Sequence, residues 1–126
     1  MNPQLKTTSV ERSGRTMIVT PNANLGELEF DQFEPEALEV FRQFERSDAS
    51  RLIVDLQHAE LLGSSTVGWL LELRRLAHSR GGQMALCGLS PTAREVLEVT
   101  RLTDHWSIYE SRDDATGVED PAIVVS

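Results

Sequence analysis

Leu61-Leu62-Gly63-Ser64-Ser65-Thr66-Val67-Gly68-Trp69-Leu70 is a small, hydroxyl-rich turn opening into an amphipathic segment, and it follows the apolar run Arg51-Leu52-Ile53-Val54-Asp55-Leu56. The run is short, nearly continuous and bounded by polar residues, which suits a central strand buried on both faces. From Ser65 to Arg80, Val67, Leu70, Leu71 and Ala77 recur on one flank, with Trp69, Leu73 and Leu76 beside them and Gly81-Gly82 after them. That spacing predicts a helix with a wide apolar band and a glycine stop. The stretch is therefore a strand, a loop and a helix N-terminus, with Ser64 and Ser65 at the junction.

Similar patterns extend on both sides. Val10-Glu11-Arg12 and Arg15-Thr16-Met17-Ile18-Val19-Thr20 flank Ser13-Gly14 as a β-hairpin, and Pro21-Asn22-Ala23-Asn24 ends its second run. Pro35 suits a first helical position, and Ala37, Leu38, Phe41 and Phe44 recur at helical spacing, predicting a helix from about Pro35 to Arg46. Met84-Ala85-Leu86-Cys87-Gly88 is a second buried strand. Ser90-Pro91 then supplies a cap and first turn for a helix whose inner face is Ala93, Val96, Leu97 and Thr100. Trp106-Ser107-Ile108-Tyr109 is a last short strand. Strands alternating with helices imply an α/β fold, a mixed sheet with right-handed crossovers. In such sheets, loops beyond the carboxyl ends of strands carry the sites, and the serine turn is one of these. The expected organisation is a flexible N-terminus over residues 1–9, one domain over 10–110 and an acidic, mobile tail over 111–126.

Composition narrows the function. A chain of 126 residues, 40% hydrophobic and 25% charged, fits one domain with one modest core. A net charge of -8 and a pI near 4.8 argue against a nucleic-acid partner, which needs a basic face. The acidic stretch from Glu27 to Glu36 is a solvated loop that could steer a basic partner. The single cysteine, Cys87, excludes an internal disulfide and any C-x-x-C motif. No apolar stretch approaches the roughly 18 residues of a membrane span, and Asn2-Pro3-Gln4 lacks a signal-peptide core, so the expected location is the cytoplasm.

Several chemistries fail on inventory. Gly63-Ser64-Ser65 begins the G-x-S-x-G elbow of serine hydrolases, but position 67 is Val and the second glycine arrives late, at Gly68. Asp104-His105 offers no ordered pair of partners for a triad. Asp55, at a strand end, has the place of a receiver phosphoacceptor, yet Thr20-Pro21-Asn22 brings no acidic pair and the only lysine is Lys6. An aspartate bonded to the next loop's backbone is the ordinary account. His58, His78 and His105 are unrelated in spacing to Cys87 or to one another, and no phosphate-binding G-x-x-x-x-G-K-[ST] occurs, so no metal and no cofactor is expected. Arg74 and Arg75 belong to a solvated helix face, and Trp69 to the core unless exposed. For the serines two readings stand. One of them is an N-cap, worth roughly 1 kcal/mol; or one carries a phosphate, which a helix N-terminus tolerates.

Together, Leu52-Ile53-Val54-Asp55-Leu56, Leu61-Leu62-Gly63-Ser64-Ser65-Thr66-Val67-Gly68 and Arg80-Gly81-Gly82-Gln83-Met84-Ala85-Leu86-Cys87-Gly88-Leu89-Ser90-Pro91 resemble a STAS domain of the anti-sigma factor antagonist kind, over roughly Val10 to Tyr109. The resemblance implies a mixed β-sheet with helices packed mainly on one face and no enzymatic activity. It also implies a regulatory serine at the start of the second helix. In that family a serine kinase anti-sigma factor phosphorylates the corresponding serine, which blocks binding, and a phosphatase reverses it. The family's signature Asp-Ser-Ser-Gly aligns its modified serine with Ser64 rather than Ser65. Gly63 stands in place of the acid and Thr66 in place of the glycine, removing a charge and adding bulk. Arg101 replaces the glycine usual before the leucine matched by Leu102.

The implied contact surface is Gly63, Ser64, Ser65, Thr66, Gly68 and Trp69. The expected partners are an anti-sigma factor serine kinase or a related ATPase, with weak homodimerisation. The competing expectation is a constitutive STAS scaffold, a subunit of a lipid-trafficking ABC transporter or of a signalling assembly, without phosphorylation.

Overall fold

A computed structural model describes residues 8–21 and 30–117. In chain order these form β1 (Thr8–Ser13), β2 (Thr16–Pro21), α1 (Phe30–Arg46), β3 (Arg51–Asp55), α2 (Ser64–Ser79), β4 (Gln83–Cys87), α3 (Pro91–Val99), a 3-10 turn (Thr103–His105), β5 (Ser107–Tyr109) and α4 (Arg112–Thr116). The five strands lie side by side in chain order. β1 runs antiparallel to β2, and the three remaining pairs are parallel. Because β2 to β5 advance in one direction, crossovers of one hand deliver α1, α2 and α3 to the same face.

The two-residue period of a strand sorts the core into two layers. Met17, Val19, Leu52, Val54, Met84 and Leu86 meet Val40 and Phe44 of α1, Leu70 and Leu73 of α2, and Ala93 and Leu97 of α3. Ile18, Ile53, Ala85 and Cys87 face the other way, with Ala115 of α4 and Tyr109 packed among them. All five residues of β3 are buried, as its continuous apolar pattern requires.

Four elements differ from the sequence expectation. α1 begins at Phe30, so Pro35 lies inside the helix rather than at its first position. Proline's fixed φ is helical; what it lacks is the N–H for one backbone bond. Thr100 is not on the inner face of α3 but exposed at its C-cap, where its hydroxyl bonds Val96 O at 2.7 Å. The hairpin's first strand starts at Thr8, within the stretch expected to be a flexible N-terminus. The stretch from Ser111, expected as a mobile tail, starts with α4: the Ser111 hydroxyl accepts from Asp114 N at 3.1 Å, and Ala115 is fully buried against the sheet. A single apolar residue in an acidic segment gives no periodicity from which to infer that helix. Residues 1–7, 22–29 and 118–126 lie outside the described residues, which takes in Asn22-Ala23-Asn24 and the start of the acidic stretch expected as a solvated loop; from Phe30 to Glu36 that stretch is the beginning of α1 instead.

Close packing joins the ends that precede β3 and β4. Gln83 N donates to Ser50 O at 3.1 Å, and a Cβ on Gly82 would stand 1.5 Å from that oxygen. The Arg80 guanidinium lies 5.1 Å from the centre of the Phe44 ring and donates to Phe44 O and Ser47 O, fastening the C-terminal end of α2 to that of α1.

Candidate functional site

The loop from β3 to α2 is anchored at both ends and leaves its last turn outside. Leu56 N donates to Cys87 O at 2.8 Å, and Leu56, Ala59 and Leu62 are buried. Asp55 is 1% exposed; its carboxylate accepts from Gln57 N at 3.1 Å and Gln57 Nε2 at 2.8 Å, the backbone-bonding role expected of it. Burial, and after it the charge of Asp55, pushes the neighbouring Cys87 thiol up to about 12, so it is neutral at physiological pH. Further along, the Ser90 hydroxyl donates to Glu60 O at 2.7 Å and ties the loop to the start of α3.

The capping expectation at α2 is corrected by the structure. The N-cap is Gly63, extended at φ -82° and ψ 165°, and no side chain caps the helix. Ser64 and Ser65 are already the first two helical residues, one position too late to reach back over the N–H groups. Both are exposed, and neither hydroxyl bonds a described residue. Val67 N closes the first helical bond to Gly63 O at 3.0 Å, which leaves the amides of Ser64, Ser65 and Thr66 without intrahelical acceptors. No acidic residue occupies this first turn. The result is a positive helix end beside two unengaged hydroxyls, an environment that favours an anion.

The six residues expected to form a contact surface divide by direction. Ser64, Ser65 and Gly68 face outward and Gly63 is half-buried, whereas Thr66 is 3% and Trp69 7% exposed. Trp69 donates its indole N–H to Ala37 O of α1 at 3.2 Å, so it is chiefly an interhelical brace. Thr66 points its bulk into the protein, away from the surface where it was expected to crowd a partner. A side chain at Gly63 would meet nothing within 4 Å, so the missing acid is not a steric demand of the loop.

Arg101 carries a consequence beyond its replacement of a glycine. Its φ is +60°, and it is the one non-glycine in the left-handed region among the described residues. Arg101 N bonds Glu98 O at 3.0 Å and Leu102 N bonds Leu97 O at 2.8 Å, a Schellman close to α3.

A five-stranded mixed sheet with three helices on one face, and a serine pair exposed at the start of α2, define a mixed α/β domain. The STAS domain family model matches residues 7–115, and the chain belongs to that family. The chain is 23% identical over 90 residues to the anti-sigma F factor antagonist of Paenibacillus polymyxa, covering 71% of this chain and 77% of that protein. Among solved structures it resembles a candidate anti-sigma factor antagonist of Thermotoga maritima, with a TM-score of 0.78, 21% identity and coverage of 89% and 93% of the two chains. It also resembles the Bacillus cell fate determinant SpoIIAA in its phosphorylated form, with a TM-score of 0.68, 22% identity and coverage of 87% and 96%. Among the described residues, no helix is long and apolar enough to cross a membrane.

Proposed function

We propose that the protein is a non-enzymatic, cytoplasmic anti-sigma factor antagonist that binds a serine kinase anti-sigma factor through the turn from Gly63 to Gly68 and is released when Ser64 is phosphorylated. The observation that carries this reading is the idleness of the Ser64 hydroxyl: it is exposed at the positive end of α2 and makes no bond that the fold needs. The phosphorylated state of a relative with the same fold supports it at the level of the family. The inward turn of Thr66 supports it too, since the one bulky departure from the signature lies off the contact surface. A phosphate at Ser64 adds about -1.5 to -2 charge at neutral pH and changes the surface a partner meets.

The missing acid at Gly63 favours one competing reading, a constitutive STAS scaffold that binds an ATPase without modification. The two separate in one assay. Incubation with the purified anti-sigma factor kinase and ATP is expected to label the wild type and not Ser64→Ala, with Ser64→Asp weakening the complex. No phosphate on Ser64, together with no binding by wild type or Ser64→Ala, ends the switch reading. Tight binding of a transporter ATPase, indifferent to Ser64→Ala, supports the scaffold.

A further inference from the structure

Gly68 has no backbone reason to be a glycine. It lies within α2, outside the left-handed region, and a Cβ built on it meets nothing within 4 Å. Alanine is the better residue inside a helix, so this glycine weakens α2 without relieving any clash. The space it leaves open belongs to a groove of about 560 Å³ between α1 and α2. Leu38, Phe41 and Trp69 form apolar walls, and Glu34 and Glu72 stand among the lining residues, with no basic side chain in the lining among the described residues. Leu38 is 49% exposed and adjoins Phe41 and Trp69 in the lining, so the apolar surface there is contiguous rather than a lone exposed side chain. The bond from Trp69 to Ala37 O holds the two helices at fixed spacing, so the groove is preformed. Glu72 pairs with Arg75, but those side chains are 54% and 74% exposed, and such surface pairs exchange readily.

We propose that this groove receives an apolar anchor side chain of a protein partner, flanked by arginine or lysine residues that meet Glu34 and Glu72. The lining chemistry selects this occupant: apolar walls take an apolar side chain, and two carboxylates, with no basic side chain among the described lining residues and only the exposed Arg75 paired to Glu72, repel an acidic partner and attract a basic one. Ser65 also lines the groove, making it continuous with the serine turn, and the identity of the occupant as a protein rests on the partner-binding reading above. Gly68 then acts as a specificity-determining residue, absent a side chain so that the anchor can enter.

The test uses the full chain and two probes: the purified anti-sigma factor kinase, and a short helical peptide of leucines and arginines with a glutamate-for-arginine control. Gly68→Ala is expected to raise Tm by about 2–5 °C while weakening binding. Gly68→Leu, which plugs the groove, and the double reversal Glu34→Lys with Glu72→Lys are each expected to weaken binding about tenfold or more. A gain in stability together with a loss of binding separates occlusion from misfolding. If the kinase binds and responds to Ser64→Asp but not to the groove variants, the groove proposal is overturned and the switch stands. If the kinase does not bind while the arginine peptide does, with the predicted losses, the groove stands and the switch fails. If neither probe binds, or no groove variant alters either affinity, the groove proposal is overturned.

Discussion

α2 and α3 follow parallel strands in the same sheet and open on serines, yet the two helices use them in opposite ways. At α3, Ser90 is the N-cap: its hydroxyl accepts from Ala93 N at 3.0 Å and donates to Glu60 O at 2.7 Å. At α2 the cap is Gly63, and the serines that follow cap nothing. One serine is consumed by the fold, and two are left over. Their C-terminal ends contrast as well. Both close with the same pair of bonds, Gly81 N to His78 O and Gly82 N to Ala77 O in α2, Arg101 N to Glu98 O and Leu102 N to Leu97 O in α3. Only α2 places glycine at the left-handed position, with φ +73° at Gly81 against +60° at Arg101. Thus α3 is well capped at its start and strained at its end, whereas α2 is the reverse. On the reading proposed above, the bare start of α2 is where a phosphate would disturb the fewest bonds of the fold.

The largest break in this comparison is Gly82→Ala. Its Cβ would fall 1.5 Å from Ser50 O, a backbone atom that cannot swing aside, so chemical denaturation is expected to register a loss of about 3 kcal/mol or more. The matching position after α3 holds Leu102 without difficulty. Next, Ser90→Ala removes a cap and orphans Glu60 O; thermal unfolding is expected to report a loss of about 1–2 kcal/mol. Arg101→Gly should run the other way. Relief of the left-handed conformation, less the entropy of the added glycine, predicts a gain of about 0.5–1 kcal/mol in urea titrations, making the two helix ends alike.

Smaller effects test the start of α2. Ser64→Asp puts a carboxylate on an acid-free first turn, and the helix dipole predicts stabilisation of about 0.3–1 kcal/mol at low ionic strength that fades as salt is raised. Ser64→Ala is expected to stay within about 0.5 kcal/mol of wild type, since an exposed hydroxyl without partners contributes little. A loss as large as that of Ser90→Ala would mean that the hydroxyl has a structural role and would remove the contrast altogether.

Much of the fold was legible in the chain itself. The run from Leu52 to Leu56, the periodicity from Ser65 to Arg80 and the Ser90-Pro91 start are local signals, and local signals survive because each strand or helix must bury its own apolar face. α4 was not legible, because its one buried residue, Ala115, lies among acids and its packing against the sheet is a contact between distant segments. The site was half legible. Ser64 and Ser65 stood out by position, but sequence could not assign the cap: a shift of one residue in where the helix begins turns a capping serine into an idle one. Thr66, placed in the contact surface by the family resemblance, lies inward, and Trp69 lies in the core as its helical position indicated rather than on that surface, since the side on which α1 packs decides which part of α2 is covered. The groove beside Gly68 went unread as well, although a glycine inside a strong helical pattern was the available hint.

By itself, then, the sequence determined the alternation of strands and helices, the membership of the serine pair in a strand-loop-helix junction and the acidic character of the whole. These follow from periodicity, turn chemistry and charge, which are properties of neighbours along the chain. Only the three-dimensional structure decided that neither Ser64 nor Ser65 caps α2, which flank of α2 meets α1 and that Arg101 bears a positive φ. The flank of α2 depends on where a distant segment arrives, since Trp69 is buried with Ala37 O within reach; the other two turn on the residue at which a helix begins or ends, as Gly63 O takes the first bond of α2 and Arg101 N bonds Glu98 O.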